Sequence, residues 1–405
     1  MKLIRLFTAG NVDDGKSTLI GRLLLDSGAV STDIIQGLTK INELGQENPE
    51  IDLAFLTDGL RAERALGITI DVAYKFFSTQ KNKYIIADTP GHFEYTRNMF
   101  TGASRCDVAI ILVDVTIGIT EQTKRHCLIV SLLGIKHVIF AINKMDLKQY
   151  EEFVFEAIKT DIVELCKPLK IDAPTVLPMS ALKGDNVVEK STFLSWFKGP
   201  TLFDYLENSI HHNEHENKLL RFQVQYLIHA DDTIGYAGRI EHGVFRVGQE
   251  VLVGSTGELK CIQNIVHNTQ SVPFAEEGMC VSFYFDNQTE LKRGDILSAV
   301  AFAPTVGNRF TTTICWMSDR CSDLKTEYLL QIGAISVGAK ISAVQQKLLE
   351  NNNNSENLLL NDIARVVIET ESKIVFDRYE EAKASGSFIL IDPSNYATLA
   401  AGIIC

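Results

Sequence analysis

Leu3-Ile-Arg-Leu-Phe-Thr-Ala9 runs directly into Gly10-Asn-Val-Asp-Asp-Gly-Lys-Ser17-Thr18, and this stretch decides the fold. The apolar run reads as a strand. It breaks at Gly10, after which Leu19, Ile20, Leu23 and Leu24 recur at the spacing of one helix face. The residues between strand and helix fit G-x-x-x-x-G-K-[ST], in the strand–loop–helix context that gives the pattern a mechanism. Glycines let the backbone wrap an anion, and the N–H groups that open the helix point at negative charge.

Working outward, apolar runs recur at 84–87, 108–115, 137–142 and 175–177, separated by helix-length segments such as 121–134 and 151–166. Strands alternating with helices predict a mixed, mostly parallel sheet covered on both faces. Residues 1–210 therefore read as one α/β domain built on a phosphate loop. The polar run 211–217 (HHNEHEN) reads as a solvated connector. Beyond it, short runs at 221–229, 250–253 and 279–285 are punctuated by Gly235, Gly238, Gly243, Gly248, Gly254 and Gly257. They predict a small β-barrel over 218–304. Runs at 309–315, 326–343, 363–370 and 387–392 predict a second over 306–405, with Asn351–Asn354 in a surface loop.

Composition narrows the function. The chain has 405 residues, too many for one ordinary core. Its 39 Lys and Arg against 51 Asp and Glu leave a net charge of −12. That balance argues against nucleic acid as a partner, because backbone binding is driven by Lys and Arg releasing counterions. The eight cysteines include no C-x-x-C pair, as expected for reduced thiols. No apolar run is long enough to span a membrane and no leader precedes the first strand, so a cytoplasmic protein without a membrane partner is expected.

Further motifs specify the ligand. Asp88-Thr89-Pro90-Gly91 follows a strand, where Asp88 would hold Mg²⁺ and the Gly91 N–H would meet a γ-phosphate. Within the first loop, Gly10, Asn11, Val12, Asp13, Asp14, Gly15, Lys16, Ser17 and Thr18 would surround the phosphates. Lys16 would reach the β- and γ-phosphates, and the Ser17 hydroxyl would bind Mg²⁺. Thr69, in Gly67-Ile68-Thr69-Ile70, would add its hydroxyl to the same ion. Asn143-Lys144-Met145-Asp146 is the set that selects guanine. The Asp146 carboxylate accepts from the N1–H and 2-amino group, donors that adenine lacks, and an unpaired buried carboxylate is costly. Lys144 would lay its stem over the base, and Asn143 would tie the loops together. Ser180-Ala181-Leu182 would offer a backbone N–H to the guanine oxygen. His92 is placed to orient the attacking water, whereas Arg61, Arg64 and Arg97 read as solvent or ion-pair residues. GTP and Mg²⁺ are thus the expected ligands.

The order of motifs, with barrels behind them, resembles the translation-factor GTPases. Elongation factors usually read G-H-V-D-H-G-K, whereas Asn11 and Asp14 stand here in place of the histidines. These residues look like the large GTPase subunit of bacterial sulfate adenylyltransferase (ATP sulfurylase). So do the segments Leu56–Tyr74, Ile86–His92, Tyr95–Met99, Leu360–Val366 and Gly386–Asp392. The resemblance implies a smaller catalytic subunit as partner, with GTP hydrolysis coupled to synthesis of adenosine 5′-phosphosulfate and pyrophosphate from ATP and sulfate. It also implies that His92 assists hydrolysis. The competing reading, an elongation-factor-type carrier of aminoacyl-tRNA, is disfavoured by the net charge and by Asn11 and Asp14.

Overall fold

The opening apolar run forms β1 (Lys2–Ala9), and the helical pattern behind the glycine loop forms α1 (Lys16–Asp26). The computed structural model describes residues 2–30, 53, 72–92, 96–208, 210, 219–230, 233–285, 290–348 and 357–405. Thr69, Arg61, Arg64, Tyr95, the 211–217 connector and Asn351–Asn354 lie outside the described residues. The chain divides into two compact units, Met1–His212 and Asn213–Cys405.

In the first unit β1 and α1 are followed by β2 (Ala73–Ser78), β3 (Asn82–Asp88), α2 (Thr96–Ala103), β4 (Val108–Asp114) and α3 (Glu121–Leu132). Then come β5 (His137–Asn143), α4 (Glu152–Cys166), β6 (Thr175–Pro178) and α5 (Leu202–Asn208). The strands form one sheet in the order β2-β3-β1-β4-β5-β6. Every pairing is parallel except β2 with β3. All of β4 is buried, as a strand covered on both faces requires. Leu19, Ile20, Leu23 and Leu24 of α1 pack onto Leu6, Ile86, Ile110 and Leu112 in one core. The antiparallel edge strand β2 has no counterpart among the expected elements. Its residues AYKFFS mix charge with aromatics, and Tyr74 and Phe76 remain exposed, so no clean apolar run marks it.

The second unit is all β. Its first part comprises β7 (Arg221–Ala230), β8 (Thr233–His242), β9 (Val244–Arg246), β10 (Glu250–Val253), β11 (Leu259–His267), β12 (Gln270–Val272), β13 (Phe274–Glu276), β14 (Cys280–Phe285) and β15 (Ile296–Ser298). The order β10-β15-β7-β8-β14-β11 closes into a barrel because β11 also pairs with β10. The glycine reading needs correction here: Gly235 and Gly238 lie inside β8 rather than in turns. A side chain at Gly238 would run into the Gln223 carbonyl, so glycine marks a close strand approach.

The last part contains β16 (Thr305–Trp316), β17 (Tyr328–Ile332), β18 (Ile335–Lys347), β19 (Ile363–Phe376), β20 (Ser387–Ile391) and β21 (Thr398–Ile404), closed in the order β16-β19-β18-β17-β20-β21. The run read at 326–343 is two strands, turned at Gly333 with φ +50. The two barrels are joined by a buried bidentate pair. Arg221 Nε and Nη2 donate to the Asp377 carboxylate at 2.8 and 2.6 Å, and Ser385 Oγ donates to the same carboxylate.

Candidate nucleotide-binding site

Because β1, β3, β4, β5 and β6 run parallel, their C-terminal ends share one edge of the sheet, the edge where such folds bind ligands. Strand register brings the loops abreast. Thr8 stands opposite Asp88, Asp114 opposite Asn143, and Ile142 opposite Pro178.

The phosphate loop is held open for an anion. α1 begins after Gly15, whose φ of +95 suits glycine, and among the described residues no side chain caps the helix. Its first turn contains no acid, so the N–H groups and the positive end of the helix dipole remain available to negative charge. The loop is braced from within: the Asn11 N–H donates to Asp14 Oδ2 at 2.5 Å. Burial raises the Asp14 pKa above the usual carboxylate value, while the Asn11 N–H and Lys16 act against that rise. Lys16 is buried, and its Nζ donates to the Gly10 and Asn11 carbonyls at 3.0 and 2.7 Å. Burial lowers its pKa, opposed by Asp88, Asp14 and Asp13.

Asp88 ends β3 and is 2% exposed. Thr8 Oγ1 donates to its Oδ1 at 3.3 Å. Gly91, three residues on, is buried against Lys16; a Cβ there would run into Nζ and stand 2.6 Å from the Gly10 carbonyl. His92 follows and is exposed. A buried carboxylate ending β3 and a hydroxyl in the first turn of α1 are the hard oxygen donors that suit Mg²⁺.

The base side is organised by Asn143, which is 2% exposed. Its Nδ2 donates to the Asp14 carbonyl at 2.8 Å, and its Oδ1 accepts the Ala181 N–H at 2.9 Å. One amide thus joins the phosphate loop to the 180–182 loop. The Ala181 N–H is spent on this internal bond. Lys144, at φ 62, places its ammonium 2.7 Å from Asp114 Oδ2. Asp114 Oδ1 accepts both the N–H and the hydroxyl of Thr116. Burial pushes the Asp114 pKa up, but Lys144 and Thr116 outweigh it and hold the carboxyl below its usual value. Asp146 lies half-buried in the short 3-10 turn Met145–Lys148, pinned by the Met145 N–H on the Met179 carbonyl. Ser180 is buried, and its Oγ accepts the Lys183 N–H.

The residues expected from Gly10 to Thr18, at Asp88 and Gly91, from Asn143 to Asp146 and from Ser180 to Leu182 therefore line one edge. Thr69 is outside the described residues. Two residues outside the expected set also stand at these loops. Asp114, an acid ending a fully apolar strand beside the phosphate loop, carried a usable signal. Arg22, which donates to the Ala181 and Leu182 carbonyls, carried none, because a helical arginine is unremarkable in sequence. α3 carries His126, 1% exposed, with Nε2 3.1 Å from Gln122 Nε2 and Nδ1 without a hydrogen-bond partner among the described residues. Burial, then Lys16 and Arg125, push its pKa down to about 3.

This sheet edge belongs to a GTP-binding domain of the translation-factor class: the family model described as the elongation factor Tu GTP binding domain matches residues 1–229. A second model, described as GTP-eEF1A C-terminal domain-like, matches 309–405. Sulfate adenylyltransferase subunit 1 of Bacteroides thetaiotaomicron is 41% identical over 99% of this chain and 86% of its own length. The Shewanella oneidensis protein of that name is 42% identical over 99% of this chain and 85% of its own. The Cellvibrio japonicus one is 40% identical over 100% and 86%. The chain belongs to the sulfate adenylyltransferase subunit 1 family. Among the described residues no helix is long and apolar enough to cross a membrane.

Proposed function

We propose that this chain is the GTP-hydrolysing subunit of a cytoplasmic sulfate adenylyltransferase. In this reading GTP turnover is coupled to formation of adenosine 5′-phosphosulfate and pyrophosphate, from ATP and sulfate, by a smaller catalytic partner subunit. The observation that carries it is identity of 41% over 99% of the chain, both barrels included, to a protein named sulfate adenylyltransferase subunit 1. The phosphate loop, Gly10–Ser17, is assigned to GTP in this reading, and the subunit 1 name of the relatives supports a second subunit for the ATP and sulfate chemistry.

In the GTP site, Lys16 and the N–H groups opening α1 would hold the β- and γ-phosphates, with the rest of Gly10–Thr18 as cradle. Ser17, Thr69 and Asp88 would hold Mg²⁺, which neutralises charge between those phosphates. The Gly91 N–H would meet the γ-phosphate, and His92 would orient the water that attacks it. Asp146 would pair with the guanine edge, Lys144 would cover the base, and Asn143 would keep the two base-side loops attached to the phosphate loop. The experiment is to combine the purified chain with a catalytic subunit from a relative and measure GTP hydrolysis with and without ATP and sulfate. Hydrolysis that rises only when both are present supports the reading. No stimulation, together with GTP-dependent binding of aminoacyl-tRNA, overturns it.

A further inference from the structure

We propose that Arg22 is a positioning residue for guanine recognition, a role that rests on reading the 180–182 loop as the one that meets the base. Arg22 lies on α1, the helix that begins with Lys16 and Ser17. From there its guanidinium crosses to the far loop, where Nε donates to the Ala181 carbonyl at 3.2 Å and Nη2 to the Leu182 carbonyl at 2.5 Å. One rigid, planar fork therefore takes two consecutive carbonyls, a geometry that an ammonium on a flexible stem does not reproduce. Nη1 faces Asp26 Oδ1 at 3.5 Å, one helical turn on, with the side chains 21% and 29% exposed. That partner keeps the fork aimed.

The consequence follows from the planar trans peptide, in which a carbonyl and the next residue's N–H point in opposite directions. Gripping the Ala181 carbonyl turns the Leu182 N–H away from α1. Gripping the Leu182 carbonyl does the same for the Lys183 N–H, which lands on Ser180 Oγ at 3.3 Å. The Ala181 N–H is already committed to Asn143 Oδ1. The Leu182 N–H is thus the donor that Arg22 presents to the guanine oxygen. The same helix fixes the phosphate end and the base end of the site, so the distance between them is built into one rigid element.

The test separates base binding from phosphate binding. GDP and inorganic pyrophosphate are each titrated against a fluorescent guanine nucleotide on wild type, Arg22→Ala and Arg22→Lys, with ADP as the base control and thermal unfolding as the control for folding. Losing a charged donor to two carbonyls should raise the Arg22→Ala Kd for GDP about tenfold, leave the pyrophosphate constant within about twofold, and leave Arg22→Lys in between. Unchanged GDP affinity in Arg22→Ala, or equal weakening for GDP and pyrophosphate, overturns the role of Arg22 while leaving the base-loop reading intact. Wild type that binds ADP as tightly as GDP sinks that reading and Arg22's role with it.

Discussion

Replacing Asn143 with alanine removes an amide that joins the phosphate loop to the base loop. Asn143 is 2% exposed and makes both of its bonds at good length, 2.8 Å to the Asp14 carbonyl and 2.9 Å from the Ala181 N–H. Truncation leaves each partner without its bond, and an unsatisfied buried group costs about 1–3 kcal/mol, so the pair costs about 2–6 kcal/mol. Water reaching these groups from the nucleotide side relieves part of this, which places the expected loss near 3 kcal/mol, about 150-fold in an equilibrium constant. The loss falls on folding stability if the loops stay together without nucleotide, and on affinity if they separate. Denaturant unfolding with and without saturating GDP, together with the GDP Kd, captures both. The isosteric Asn143→Asp change retains an acceptor for Ala181 but sets a carboxylate against the Asp14 carbonyl, so it should do at least as much damage as alanine. Gly15 adds a steric check, because a Cβ there would stand 2.5 Å from Asn143 Nδ2. Unaltered stability and affinity in Asn143→Ala would refute the bridging argument.

Asp146→Asn should shift preference from guanine toward xanthine nucleotides, because an amide donates where the 2-amino group also donates; competition between GDP and XDP measures it, and unchanged GDP affinity contradicts the assignment. His92→Ala should slow GTP hydrolysis about 100-fold while sparing GDP binding, as loss of a water-orienting group does. Equal turnover would remove His92 from the mechanism. His126 stays neutral in the folded protein until about pH 3, whereas an ordinary histidine protonates near 6.5. Its folded pKa is depressed, so its contribution is intact above 6.5 and is lost as pH falls below that, by about 2 kcal/mol between pH 7 and 5. His126→Gln should flatten that slope in denaturant unfolding; parallel curves for wild type and variant would show that the imidazole is not the cause.

That the loops proposed to hold the nucleotide lie at strand ends was legible in sequence, because each is a short motif behind an apolar run. Gly10–Ser17, Asp88–Gly91, Asn143–Asp146 and Ser180–Leu182 each need only a few adjacent residues, and the apolar run before each marks the strand that presents it. Asp14 shows the limit. Its presence in the loop was visible, but its use as a brace for the Asn11 N–H depends on a turn that brings backbone and carboxylate to 2.5 Å.

The fold class, an α/β part followed by β-barrels, and the set of strand-end motifs could be read from the chain, because helical and strand periodicity and loop motifs are local properties. Tertiary structure alone decided the rest. Asn143 meets partners 129 and 38 positions away, and Arg22 reaches carbonyls 159 and 160 positions on. The first barrel closes through a second pairing of β11 with β10, and β8 keeps Gly238 to let a neighbouring strand approach. Side-chain hydrogen bonds and ladder closures join residues that no period relates. They form only when packing brings distant strand ends to the same edge.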